Sequence, residues 1–479
     1  MPREYLMKTV KTFILVIIAP FLLFCLSSCQ AGFSSLKPVL DEEGEVFVYV
    51  QPFPQEAERL RFNLEGISAV RQDGSEIPLS LLFNKFEAPD VKRQRLVASG
   101  ILPPGMYRGL SFKAAKAVLT TEEGEASLLT AEKPVNADFP FSITRKKAST
   151  LLISFLYQKS ITSGFSFSPV FSVYQPAKPV TGLVGYVSNS RANTITVFDK
   201  KAGQVVTVLA TGRAPKGIAF DQARNRAYVA LSGEDAIEAI DMITGDSLNT
   251  IRLHNGSAPQ HLALTPDGRL LMSVNPGSNS VSFIDPLSYL ELSQTAVGDA
   301  PSSILLEPAA GRRAYVFNVM SNNISIVDIA ARATAATAVV DTGALRGQFS
   351  RNGGRLYVIS ERSPYLTVID PASLQVSNRV FMGVSANALK VDVKTDLIYA
   401  SGTQATEVEI YEPLSLIAVE SIPAEDGASY LTIDGQENSL LLLSPESRTL
   451  TSVNINTRNI VFVIDVGEDP YQVTLMGER

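Results

Sequence analysis

Side chains able to do chemistry are scarce in this chain. His254 and His261 are the only histidines, Cys25 and Cys29 the only cysteines, and tryptophan is absent. A transition metal needs three or four converging ligands, which one histidine on each of two loops does not supply. No dense Asp-x-Asp-x-Asp loop offers oxygens to Ca²⁺. No nucleophile-elbow Gly-x-Ser-x-Gly or phosphate-cradling loop stands out either. No catalytic residue, metal or other cofactor is therefore expected. Nucleic acid is excluded as a partner, because net charge is −6 and no basic run meets the phosphates.

Carboxylates are plentiful, but the conspicuous ones recur at fixed spacing: Asp199, Asp241, Asp285, Asp328, Asp370, Glu412 and Asn454, 42 to 44 residues apart. Asp285-Pro286-Leu287-Ser288 and Asp370-Pro371-Ala372-Ser373 are β-turn sequences. There an Asp accepts from the turn backbone and Pro presets φ. These residues are turn caps, not catalytic acids.

The elements that must carry them repeat with the same period. Tyr186, Tyr228, Leu271, Tyr315, Tyr357, Tyr399 and Leu441 each begin a short apolar strand, again 42 to 44 residues apart. Seven further segments begin at Pro215, Pro259, Pro301, Ala344, Ala386, Ala428 and Pro470, with apolar fourth and sixth positions apart from Gly347. Four strands per unit and a period near 42 give the arithmetic of a β-propeller, whose blades run ~40–45 residues. The fold expected is all-β, a seven-bladed propeller over 182–479. The first unit lacks an inner strand, and Pro470 to Met476 supplies one, so the C-terminal strand closes the ring and removes exposed edges.

Tyr186-Val187-Ser188-Asn189, Tyr228-Val229-Ala230 and Tyr357-Val358-Ile359-Ser360, each followed by a strand ending in an acid and a Gly-x-x-Pro-like turn, resemble the YVTN-repeat propellers of surface-layer and periplasmic proteins. Propellers bind ligands where the inner strands begin, since loops of all blades converge there. That places Lys216, Gln260, His261, Ser302, Arg346, Asn387 and Tyr471 around a ligand-binding channel mouth. The function expected is a binding or scaffold protein for a protein, glycan or small ligand. The alternative is an enzyme resembling lactonase-type propellers, with Arg346, His261 and Lys216 around a small anionic substrate.

Ahead of the repeats, Arg3, Lys8 and Lys11 precede an apolar run to Phe24 and then Leu26-Ser27-Ser28-Cys29. The run is too short to span a membrane and reads as a secretory signal over 1–29. The last four residues resemble a bacterial lipobox. That resemblance implies lipidation of Cys29, membrane attachment through the lipid, and a place in the cell envelope, the outer membrane favoured. Another envelope protein or a polysaccharide is then the expected partner. Residues 30–44 read as a tether, 45–174 as an immunoglobulin- or transthyretin-like β-sandwich, and the Pro-rich stretch 175–181 as a stiff linker. Leu102-Pro103-Pro104-Gly105-Met106-Tyr107 resembles a hairpin of such accessory domains.

Overall fold

The computed structural model describes residues 37–87, 92–178, 180–308, 311–383, 385–402, 404–424 and 426–478. Cys29 and the signal segment lie outside them. Val39–Arg479 forms one compact unit. It is all-β: among the described residues the four-residue turn Tyr157–Ser160 is the only α-helical stretch.

Residues 184–475 form a β-propeller domain made of four-stranded antiparallel sheets, seven in number among the described residues. In six of them four consecutive strands pair in chain order, as in Pro215–Asp221, Arg226–Leu231, Ala236–Asp241 and Ser247–Arg252. The remaining sheet has Val184–Asn189, Thr194–Asp199 and Gln204–Ala210 in sequence. Its innermost member is the C-terminal strand Pro470–Leu475, which pairs Leu475 with Gly185 and Val473 with Val187. Inner strands of successive sheets contact one another, and the last contacts the first.

The repeated residues do what their chemistry dictates. Tyr186, Tyr228, Tyr315, Tyr357 and Tyr399 are buried between sheets, and Leu271 and Leu441 stand in for them. All seven spaced acids or amides cap turns. Asp199 accepts from the amides of Lys201 and Ala202, Asp241 from Ile243 and Thr244, and Asp285 from Leu287. Asp328 accepts from Ala331, Asp370 from Ala372, Glu412 from Leu414 and Ser415, and Asn454 from Asn456 and Thr457. A second device was not anticipated. Asn193, Asp235, Asn279 and Asn322 take positive φ near 50° and each accepts from an amide 21 or 23 residues on: Ala214, Ala258, Ala300 and Gly343. This bond fastens the loop leaving each sheet to a turn within it.

Three inner strands begin two residues later than the sequence suggests: His261–Leu264 in place of 259–265, Ala388–Val391 in place of 386–392, and Tyr430–Asp434 in place of 428–434. Inner strands begin with a register shift, seen between Pro215 and Ile218, Pro301 and Ser303, and Ala344 and Arg346. The shift diverts the first backbone groups out of the ladder; the Gln260 carbonyl accepts from Gly217 of the neighbouring sheet at 3.0 Å. A Cβ at Gly217 would lie 2.7 Å from the His261 Cα, so only glycine permits that approach.

Where chain start meets chain end, the ammonium of Lys200 is buried. It donates to Asp434 Oδ1 at 3.0 Å, Gln436 Oε1 at 2.9 Å and the Met476 carbonyl at 2.6 Å.

Residues 44–174 form a five-stranded and an eight-stranded sheet over one core. Leu60–Arg71 is a single long strand with register shifts. Leu102 to Tyr107 is not a hairpin. Arg95–Leu102 belongs to the first sheet and Gly105–Thr121 to the second, and Pro103-Pro104, lacking amide donors, carries the chain between them. The Tyr107 hydroxyl then donates back to the Pro103 carbonyl at 2.9 Å.

The strand Gly44–Val50 is buried on both faces. Val46, Val48 and Val50 point into the core between the two sheets; Phe47 and Tyr49 pack with Leu96 and Leu152 against Phe198, Val205, Leu443 and Ile464 of the propeller domain. Asp465 accepts from Arg95 Nε at 2.8 Å and from the Leu96 amide at 3.1 Å. Gln94 and Thr150 accept from the Val205 and Val208 amides of the outer strand Gln204–Ala210, satisfying donors of a sheet edge.

Candidate functional site

The starts of the inner strands surround two spaces that share Arg346. The outer, a mouth of about 440 Å³, is lined by Arg346, Asn387, Ser429 and Tyr471 and flanked by Glu361 and Asp469. The inner, a chamber of about 100 Å³, is lined by His261, Arg346, Tyr430, Gln348, Lys390 and Glu478. Arg346 belongs to both. Of the seven residues expected at the mouth, Arg346, Asn387 and Tyr471 line it directly, and His261 lies deeper. Lys216 holds its ammonium 5.3 Å from the centre of the Tyr471 ring. Burial pushes the Lys216 ammonium below the usual lysine range, and Asp469 offsets part of that. The Gln260 side chain lies beside Tyr471 and partly offsets the rise that burial imposes on its hydroxyl. Ser302 has a different occupation: its hydroxyl donates to the carbonyls of Phe317 and Leu345, stitching neighbouring sheets. His254 is exposed, away from the mouth, with Nδ1 2.6 Å from Glu291.

Two polar groups in the chamber lack partners among the described residues: Nδ1 of His261 and Nε of Arg346. No carboxylate there pairs with Arg346, whose guanidinium lies 5.0 Å from the centre of the Tyr430 ring. Burial, with the Arg346 charge added, holds the His261 imidazole down to about 3, so it is neutral at physiological pH. Lys390, by contrast, is neutralised by Glu478 at 3.0 Å.

The sequence reading did not single out Lys390, Glu478, Glu361 or Asp469. Lys390 left a signal: it is the only charged residue among the fifth positions of the inner segments, where the others are Ala219, Ala263, Leu305, Gln348, Thr432 and Thr474. Glu478 left none, since it follows the last strand and its position depends on chain closure.

Residues 184–396 match the family described as YNCE-like beta-propeller. None of the curated proteins matches the chain. Solved structures with this fold include a "functionally unknown protein" from Desulfotomaculum acetoxidans, 14% identical, covering 61% of this chain and 98% of its own, with a TM-score of 0.54. A "putative 6-phosphogluconolactonase" from Bacteroides uniformis is 15% identical over 61% of this chain and 98% of its own, TM-score 0.51. The dihydro-heme d1 dehydrogenase NirN is 12% identical over 64% and 78%, TM-score 0.51. At these identities the likeness is one of fold.

Proposed function

We propose that this chain is a lipid-anchored cell-envelope binding protein. In this reading the seven sheets are blades of a ring closed by the C-terminal strand, and the mouth at the inner-strand starts binds the ligand. The two N-terminal sheets are a β-sandwich that braces the seam of the ring, and lipid on Cys29 holds the assembly at the outer membrane. The observation that carries the reading is Arg346, a cation without a carboxylate partner, placed between a 440 Å³ mouth and a chamber in which His261 Nδ1 is also unpartnered. Buried polar groups normally find partners, and an unmet pair at one cavity is what a bound ligand would satisfy.

The test is capture from envelope extract by the delipidated protein. Changing Lys216, Arg346 and Tyr471 together to Ala should abolish capture of the partner, an envelope protein or polysaccharide, while leaving the melting temperature of the fold in place. Full capture by the triple variant would defeat the reading. Mass spectrometry of the mature N-terminus should show acylated Cys29.

A lactonase-like hydrolase is the second reading, favoured by His261 and Arg346 sharing one chamber. A general base works best with a pKa near the working pH. A histidine held near 3, with no partner on Nδ1 to orient it, fits that role poorly. Lactone hydrolysis that disappears in His261→Ala would reverse the preference.

A further inference from the structure

We infer that the chamber is a carboxylate pocket, in which Arg346 grips a ligand's carboxylate, His261 contributes a neutral imidazole beside it, and the ligand's uncharged body fills the mouth. This rests on the binding reading above and gives it a ligand class.

Three observations converge on that class. The first is the donor geometry. A guanidinium presents a planar fork of donors that matches the two oxygens of a carboxylate. In Arg346 the Nε of that fork is buried and has no partner among the described residues. Leaving such a donor unmet costs ~1–3 kcal/mol, and the fold does not relieve it, because the ring of Tyr430 occupies one side of the group.

The second is the charge count. Lys390 and Glu478 cancel each other at 3.0 Å, and His261 is neutral. One unpaired positive charge remains in the chamber, which a single carboxylate balances. A phosphate monoester carries about −1.5 to −2. It would leave surplus negative charge near Glu478, with Glu361 at the mouth, where Asp469 is offset by the Lys216 ammonium. Glu361 also disfavours a second anionic group on the body of the ligand and favours one bearing hydroxyl or amide donors.

The third is size. A chamber of about 100 Å³ holds a carboxylate with little else, a water occupying ~30 Å³. The 440 Å³ mouth has room for a ring or a short chain, with Asn387, Ser429 and Tyr471 along it. The ligand class is thus a monocarboxylate on an uncharged, donor-bearing body.

The two histidines make the test direct. In full-length protein labelled at histidine Cε1, two imidazole signals report separately on the chamber (His261) and on an exposed site far from it (His254). Titration with D-glucuronate should move the His261 signal saturably and leave His254 still. Acetate should do the same more weakly, and uncharged D-glucose should do nothing. Arg346→Gln should weaken glucuronate binding roughly tenfold or more, the loss of a charge-assisted pair. Arg346→Lys, which keeps the charge but not the fork, should fall between. An unmoved His261, a stronger response to inorganic phosphate than to glucuronate, or wild-type affinity in either variant would overturn the inference. If Arg346→Gln fails to fold, judged by a displaced His254 signal, Arg346→Lys alone decides. Envelope capture lost in the triple Ala variant, together with a His261 signal indifferent to carboxylates, would sink the carboxylate pocket and leave the binding mouth standing. Failure of both would sink both.

Discussion

Replacing Lys200 by Met should destabilise the fold at one identifiable place. The ammonium and its partner Asp434 are each 1% exposed, and three acceptors from the last part of the chain converge on it. Removing the cation leaves the Asp434 carboxylate buried without compensation, a change that costs ~3–5 kcal/mol in comparable buried pairs. Methionine replaces most of the lysine stem, so lost packing contributes little. Unfolding entropy is ~2.1 cal/mol/K per residue. Scaled to the compact unit Val39–Arg479, the loss corresponds to a fall of ~3–5 °C in Tm. Calorimetry on the single variant and on Lys200→Met with Asp434→Leu separates causes. An apolar pair of similar volume is often neutral against the ion pair it replaces, so the double variant should recover most of the loss. A single variant melting within a degree of wild type would refute the argument. So would a double variant as unstable as the single, since the orphaned charge would then not be the cause.

Deleting Pro470–Arg479 should leave the protein unfolded or aggregated. It removes Val473 and Leu475, both fully buried and worth ~1.5–3 kcal/mol each, together with the Met476 carbonyl that holds Lys200, and it bares the edge of Val184–Asn189; an unchanged melting temperature would show that this strand is dispensable. Asp465→Ala should cost ~1.5–3 kcal/mol, because Arg95 and the Leu96 amide lose their shared acceptor. Limited proteolysis should then release the N-terminal sheets faster than from wild type. Glu238 lies beside a 650 Å³ cavity, 8% exposed, with Oε2 unpartnered, and burial raises its pKa above the ordinary glutamate value. A carboxyl that holds its proton more tightly folded than unfolded weakens the fold as pH rises through that range. Glu238→Gln should therefore raise Tm at pH 7, and the two proteins should converge at pH 4. An equal difference at both pH values would exclude the carboxyl's titration as the cause.

The propeller domain was legible because every unit solves the same local problem with the same residue. A tight turn needs an acceptor for its free amides, and Asp, Glu or Asn stands at that position in all seven units. The Asn193-type cap was equally present in the letters but joins residues 21 apart, and only the fold shows that the two ends meet. The contact between the N-terminal sheets and the propeller domain had left a trace. Val46-Phe47-Val48-Tyr49-Val50 shows no alternation, as expected of a strand covered on both faces; the second cover was the part no pattern could name. At the mouth, four of the seven inner strands start where expected, at Pro215, Pro301, Ala344 and Pro470, and three start two residues later; the register shift also turns successive side chains away from simple alternation. Thus Tyr471, expected at the mouth, lines it half-buried beside Lys216, while Ser302, taken as a ligand donor, bonds two carbonyls of its own fold.

The distribution of variation within the repeat argues for where function resides. Positions that close turns or pack between sheets are nearly uniform across the units, as the burial of Tyr186, Tyr228, Tyr315, Tyr357 and Tyr399 requires. The third positions of the inner segments are all different: Gly217, His261, Ser303, Arg346, Ala388, Tyr430 and Gln472. Gly217 is explained by the backbone it touches, and Gln472 by its amide, which donates to the Ile218 carbonyl at 3.1 Å and accepts from the Ile218 amide at 3.3 Å. Ser303 donates to the Leu345 carbonyl at 2.7 Å. No such fold-internal bond accounts for His261 or Arg346, and both leave a buried nitrogen unmet. A repeat that could place alanine there, as it does at Ala388, instead carries two groups that cost stability. Local rules broken without a compensating gain in packing mark functional positions, and these two breaches, among several buried unmet groups of the domain, face the same chamber.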